Sequence, residues 1–84
     1  MKTIQVILER QIVGNYATSL TMSKHNFTTL LKESKLINYY ILFNSHILYY
    51  HNEKLNLHIH IEFTNFSKPK IIINPGLSFL IDEN

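Results

Sequence analysis

Cysteine is absent from this 84-residue chain. That excludes a disulfide scaffold, a cysteine nucleophile and thiolate ligation of a metal. Small secreted domains often need such staples, so the absence also leads us to expect an intracellular, cytoplasmic setting. Glycine occurs only at Gly14 and Gly76, so no glycine-rich loop is available to cradle a phosphate, and no G-x-S-x-G elbow surrounds any serine. Arginine occurs once, at Arg10, which leaves almost no supply of bidentate contacts to phosphate or guanine. Long hydrophobic runs are missing too. The most apolar stretch, residues 36–50, is interrupted by Asn38, Asn44, Ser45 and His46, well short of the ~18 uninterrupted apolar residues of a membrane helix. Near the N-terminus, Glu9, Arg10 and Gln11 break up any signal-peptide core.

What is present bounds the answer further. A chain of this length makes one domain over residues 1–84, with one core and no room for a deep enclosed pocket. A groove, a flat face or a site shared between copies is the expected form of any binding site. Eight basic residues stand against six acidic ones, and the basic residues are spread along the chain. The formal charge of +2 therefore marks no dedicated phosphate-tracking arm. Five histidines are unusual in so short a chain, and they make the surface charge responsive to pH near ~6.5. Two N-glycosylation patterns, at Asn26 and Asn65, are at the number expected by chance from so many Asn, Ser and Thr residues.

Periodicity supplies the elements. Residues 2–13 alternate, with Ile4, Val6 and Leu8 on one side, which predicts a half-buried strand. Gly14-Asn15 has turn chemistry, and Tyr16 to Met22 reads as the return strand of a hairpin. Ser23 and Asn26 are both N-cap residue types, and Phe27, Leu30 and Leu31 follow helical spacing, so a helix is expected over about 25–36. Strands are then expected at Tyr39 to Phe43, His46 to His51, Leu55 to Phe63, Ile71 to Ile73 and Leu77 to Ile81. The turns between them fall at Asn44-Ser45, Asn52-Glu53, Ser67-Lys68-Pro69 and Pro75-Gly76. The fold class is α+β: a small antiparallel β-sheet of five to seven short strands, ordered β-β-α-β-β-β-β-β, packed on one short helix and compatible with a partly open barrel. Its expected core is Ile4, Val6, Leu8, Phe27, Leu30, Leu31, Leu48, Leu57, Ile59, Ile61, Ile72 and Leu80.

Hairpin parity assigns the sheet faces. A two-residue or four-residue loop after His51 puts Leu48 and Tyr50 on the core face with Leu57, Ile59 and Ile61. The same parity puts Ile47, Tyr49 and His51 on the other face with Asn56, His58, His60 and Glu62. Tyr40 and Leu42 join this outer face. It is too apolar for a plain solvent face, so Tyr40, Tyr49, His51, His58 and His60 are the candidate partner-binding residues.

Chemistry beyond binding finds little support. His58, His60 and Glu62 share a face at alternate positions, a spacing two metal-ligating histidines can use, but alternating polar residues are also what any half-buried strand needs. No cofactor is implied, and no nucleophile, base and orienting group come together in a catalytic motif. The expected function is that of a non-enzymatic small binding protein that docks on another macromolecule, foremost a protein, and inhibits or modulates it. Inhibitors from phages and mobile elements, immunity proteins and accessory subunits have this make-up, and the Ile, Asn, Lys and Tyr bias suits an AT-rich gene. A single-stranded nucleic-acid-binding OB-like module using Tyr39, Tyr40, Phe43, Tyr49 and Tyr50 is the alternative. A metal-binding β protein using His58, His60 and Glu62 is the second alternative. No membrane role is expected, and a free β edge is expected to permit a homodimer.

Overall fold

A computed structural model describes residues 3–11 and 15–75 of the chain. Among the described residues, six strands form one mixed, open sheet with a single helix on one face. In chain order the elements are β1 (Thr3–Gln11), β2 (Asn15–Ser23), α1 (Lys24–Lys32), β3 (Lys35–Leu42), β4 (Ser45–Asn52), β5 (Leu57–Phe63) and β6 (Lys70–Asn74). The order across the sheet is β2-β1-β6-β5-β4-β3, which leaves β2 and β3 at the edges among the described residues. The α+β class holds, and the sheet does not close into a barrel. The strand expected over Leu77 to Ile81, together with Gly14, Gly76 and Leu80, lies outside the described residues, as does the side chain of Leu8.

One pairing departs from the antiparallel expectation. β1 and β6 run parallel, with Ile7 opposite Ile72 and Leu8 opposite Ile73. Short turns dictate antiparallel pairing only between strands adjacent in sequence. Here α1 carries the chain from one edge of the sheet to the other. The β3–β4–β5–β6 meander then returns to the middle and brings β6 beside β1.

The helix begins at its cap. Ser23 Oγ accepts a hydrogen bond from the Asn26 backbone N–H at 3.1 Å, so Ser23 and not Asn26 is the N-cap. It ends at Lys32, earlier than its periodicity implies, because the backbone N–H of Ser34 bonds back to the Leu31 carbonyl and the Ser34 hydroxyl donates to the Leu30 carbonyl. Residues from Lys35 onward are drawn into β3, where the β-branched and aromatic run is paired along β4.

The core lies between α1 and the sheet. Val6, Met22, Phe27, Leu30, Leu57, Ile59, Ile61, Ile71 and Ile73 are buried there, with Ile4, Leu31 and Leu48 packed against them. Ile72 is not part of this core: β6 presents Ile71 and Ile73 inward, and Ile72 falls on the opposite face. Three consecutive isoleucines carry no alternation of their own, so the register with β5 decides which ones face in.

Two turns are displaced from their expected places. Phe43-Asn44, not Asn44-Ser45, links β3 to β4, because Leu42 pairs with Ser45. Four residues, 53–56, link β4 to β5, so Asn52 ends β4 and Leu57 starts β5. Asn52 is fully buried. Its amide nitrogen donates to the Glu33 carbonyl and the Ser34 hydroxyl, and its oxygen accepts from the Leu55 N–H at 2.9 Å. One side chain thus ties the helix terminus to the β4–β5 turn.

Candidate functional site

Register aligns the outer face in rows that run across the strands. The first row is Lys35, His51, His58 and Asn74; the second is Asn38, Tyr49, His60 and Ile72; the third is Tyr40, Ile47, Glu62 and Lys70. Both displaced turns shift the pairing by an even number of residues, so the faces stay as parity assigned them. Tyr40, Tyr49, His51, His58 and His60 therefore share one face of β3, β4 and β5, opposite the buried core and α1.

The side chains on this face are in contact. The Tyr49 and His60 rings lie 4.6 Å apart and tilted, and Tyr40 stacks on Tyr49 at 6.2 Å, which makes a three-ring ladder over three strands. His51 and His58 stack at 4.6 Å beside it. Aromatic pairs at such spacings add about 0.5–1.5 kcal/mol each beyond the area they bury. Ile47, between Tyr40 and Glu62, is only 5% exposed although it belongs to the outer face. His60 Nε2 is buried without a hydrogen-bond partner, a cost of about 1–3 kcal/mol to the fold. The Tyr49 phenol is pushed above its ordinary pKa, first by the neighbouring Tyr40 hydroxyl, then by burial and by the nearby Tyr40 and Glu62 charges.

His58, His60 and Glu62 share the face as their spacing requires. Among the described residues, however, no three histidine, aspartate or glutamate side chains are gathered closely enough to hold a metal ion. His46 faces the core side, where it stacks between Phe63 at 5.0 Å and Tyr39 at 6.1 Å and shares a 2.8 Å hydrogen bond with the Tyr39 hydroxyl. On that helix-bearing face an open groove of about 910 Å³ is lined by Ile4, Phe27, Leu31, Ile61 and Phe63 and by Lys24 and Lys68. No helix among the described residues is long and apolar enough to cross a membrane.

Sequence reasoning missed the strongest surface feature. Every residue of β3 is exposed. Its apolar run ends at Phe43, which is 92% exposed and has a positive φ of 57°. The signal was in the sequence, since residues 36–43 contain no charge and only one polar side chain, Asn38. Alternation alone could not reveal that β3 has a neighbour on one side only among the described residues. No family model matches the chain, and neither does a curated protein or a solved structure.

Proposed function

We propose that this chain is a non-enzymatic docking module that binds another protein through the outer face of β3, β4 and β5 and so blocks or adjusts it. The observation that carries this reading is the connected array of Tyr40, Tyr49 and His60, flanked by the His51–His58 pair, on the sheet face opposite α1. A fold needs one packed face, and here that is the α1 side. A second array of aromatic and imidazole rings, containing a buried imidazole nitrogen left without a partner, burdens the free monomer. It is of use where a partner supplies the missing contacts. The rows also suggest the partner's chemistry. The Tyr49–His60–Ile72 row suits apolar and aromatic groups, and the Lys35–His51–His58 row suits carboxylates. In this reading the protein acts in the cytoplasm as an inhibitor or accessory subunit, of the kind phages and mobile elements carry.

The test is capture from a lysate of the organism that carries the chain, with and without nuclease. A protein retained through nuclease treatment supports the reading. A catch that disappears with nuclease and falls steeply with salt would replace it with single-strand nucleic-acid binding by the same tyrosines.

A further inference from the structure

β3 has the properties that soluble proteins ordinarily keep off their sheet edges. It is eight residues long and exposed throughout, and one side of its backbone has no strand beside it among the described residues. Such a row of free N–H and C=O groups is a template for another strand. Natural edges are usually blunted by lysine, proline or an inward-facing charge. None of these occurs between Leu36 and Phe43. The one irregularity is the bulge between Leu36 and Asn38, which leaves Asn38 to Leu42 as a regular five-residue run centred on Tyr40.

The run also limits what can pair with it. Tyr39 and Ile41 lie toward the core side and Tyr40 and Leu42 toward the outer side, and all four are 40–58% exposed. A strand that matches them must be apolar on both faces and free of charge. β3 itself meets that description. β2, the other edge, offers the polar sequence Thr18, Ser19, Thr21 and Ser23. Pairing of β3 with β2 of another copy would also leave free edges and grow into fibres, whereas β3 against β3 closes on itself.

We propose that two copies of this chain associate through β3, antiparallel, about a two-fold axis at Tyr40. Tyr40 then lies beside Tyr40 of the second copy, Tyr39 opposite Ile41, and Asn38 opposite Leu42. The two Lys35 residues fall at opposite ends, roughly 33 Å apart at strand rise, too far for their charges to repel appreciably in physiological salt. The seven apolar residues from Leu36 to Phe43 are 40–92% exposed. At the order of 100 Å² apiece they expose roughly 700 Å² per copy, the upper limit of what edge pairing can cover, against the ~800 Å² each partner contributes to a standard interface. The two-fold axis is perpendicular to the sheet, so both outer faces end up on the same side of one sheet of doubled width. This inference does not depend on the docking reading, because purified protein alone tests it.

The absence of cysteine makes the test direct. Tyr40→Cys places a single thiol on the axis, where its counterpart lies about 4.5–5.5 Å away between α-carbons, within disulfide reach. Under mild oxidation this variant is expected to become mostly covalent dimer, while Thr29→Cys, on the exposed face of α1, forms no disulfide-linked dimer. Native mass spectrometry of the unmodified chain is expected to show twice its 9.9 kDa at tens of micromolar. Ile41→Lys should weaken that dimer by roughly 100-fold, since it buries a lysine at the edge of each copy. Leu42→Glu gives the same readout if Ile41→Lys fails to fold. Wild-type protein that stays monomeric overturns the proposal. So do equal cross-linking of the two cysteine variants and a dimer indifferent to both edge charges.

Discussion

Asn52 shows how much a single polar side chain can hold in place in a domain of this size. It is fully buried, yet each of its amide atoms has a partner, and those partners lie on the helix terminus and on the turn after β4. Asn52→Ala strands the Leu55 N–H and takes a donor from the Glu33 carbonyl and the Ser34 hydroxyl together, and we expect a loss of about 2–3 kcal/mol in urea unfolding. A change below ~0.5 kcal/mol would mean that water replaces the side chain. In the sequence, Asn52-Glu53 has the composition of a turn, and nothing local distinguishes an exposed turn asparagine from a buried one. Tyr49 makes a second prediction at this scale. An unfolded tyrosine ionises near ~10, and the Tyr40 side chain beside it, with burial, holds the folded phenol above that. Between the two values the folded state binds more protons than the unfolded chain, so the stability contributed below pH ~10 is lost as pH rises through the folded value. Wild-type protein should therefore lose more stability above pH ~10 than Tyr49→Phe. Parallel urea midpoints from pH 9 to 11 would rule the raised pKa out.

Among the elements, β5 was the most legible and β3 the least. Leu57, Ile59 and Ile61 alternate with His58, His60 and Glu62, and burial follows the alternation. The face assignments of β3 and β4 survived errors in both turns because those errors were even-numbered slips, which leave side-chain parity unchanged. β6 has no alternation, and its inward residues were set by a neighbouring strand far away in sequence. The helix was foreseen from spacing and two cap candidates, Ser23 and Asn26, but its end was not. Tertiary pairing with β4 took over residues that local spacing would have kept helical. The β3–β4 turn carries a cost that a mutation can relieve. Phe43 holds a positive φ at the first loop position, where glycine is unstrained, and its side chain is almost wholly in water. Phe43→Gly should raise the stability of dilute protein by about 1 kcal/mol in urea unfolding. A lower stability would show that the exposed ring packs on something within the chain.

For the molecule as a whole, one helix serves one face of a wide sheet, and the other face is left with a ring array of its own. Strand order was not legible, because it depends on where the α1 crossover delivers β3, a long-range outcome that no window of sequence encodes. Composition did exclude a disulfide scaffold and a glycine-rich phosphate loop, and the described residues add a flat outer face and an open groove beside α1. The central claim is that the outer face of β3, β4 and β5 is the docking surface. The measurement that bears on it most directly is the affinity of the nuclease-resistant partner for two double variants matched in exposure. Tyr40→Ser with His58→Ser alters the outer face, and His25→Ser with Lys32→Ser alters the surface of α1. The account predicts at least ~100-fold weaker binding for the first, as loss of interface aromatics costs ~2 kcal/mol or more each, and little change for the second. Equal affinities, or a loss confined to the helix variant, would contradict it.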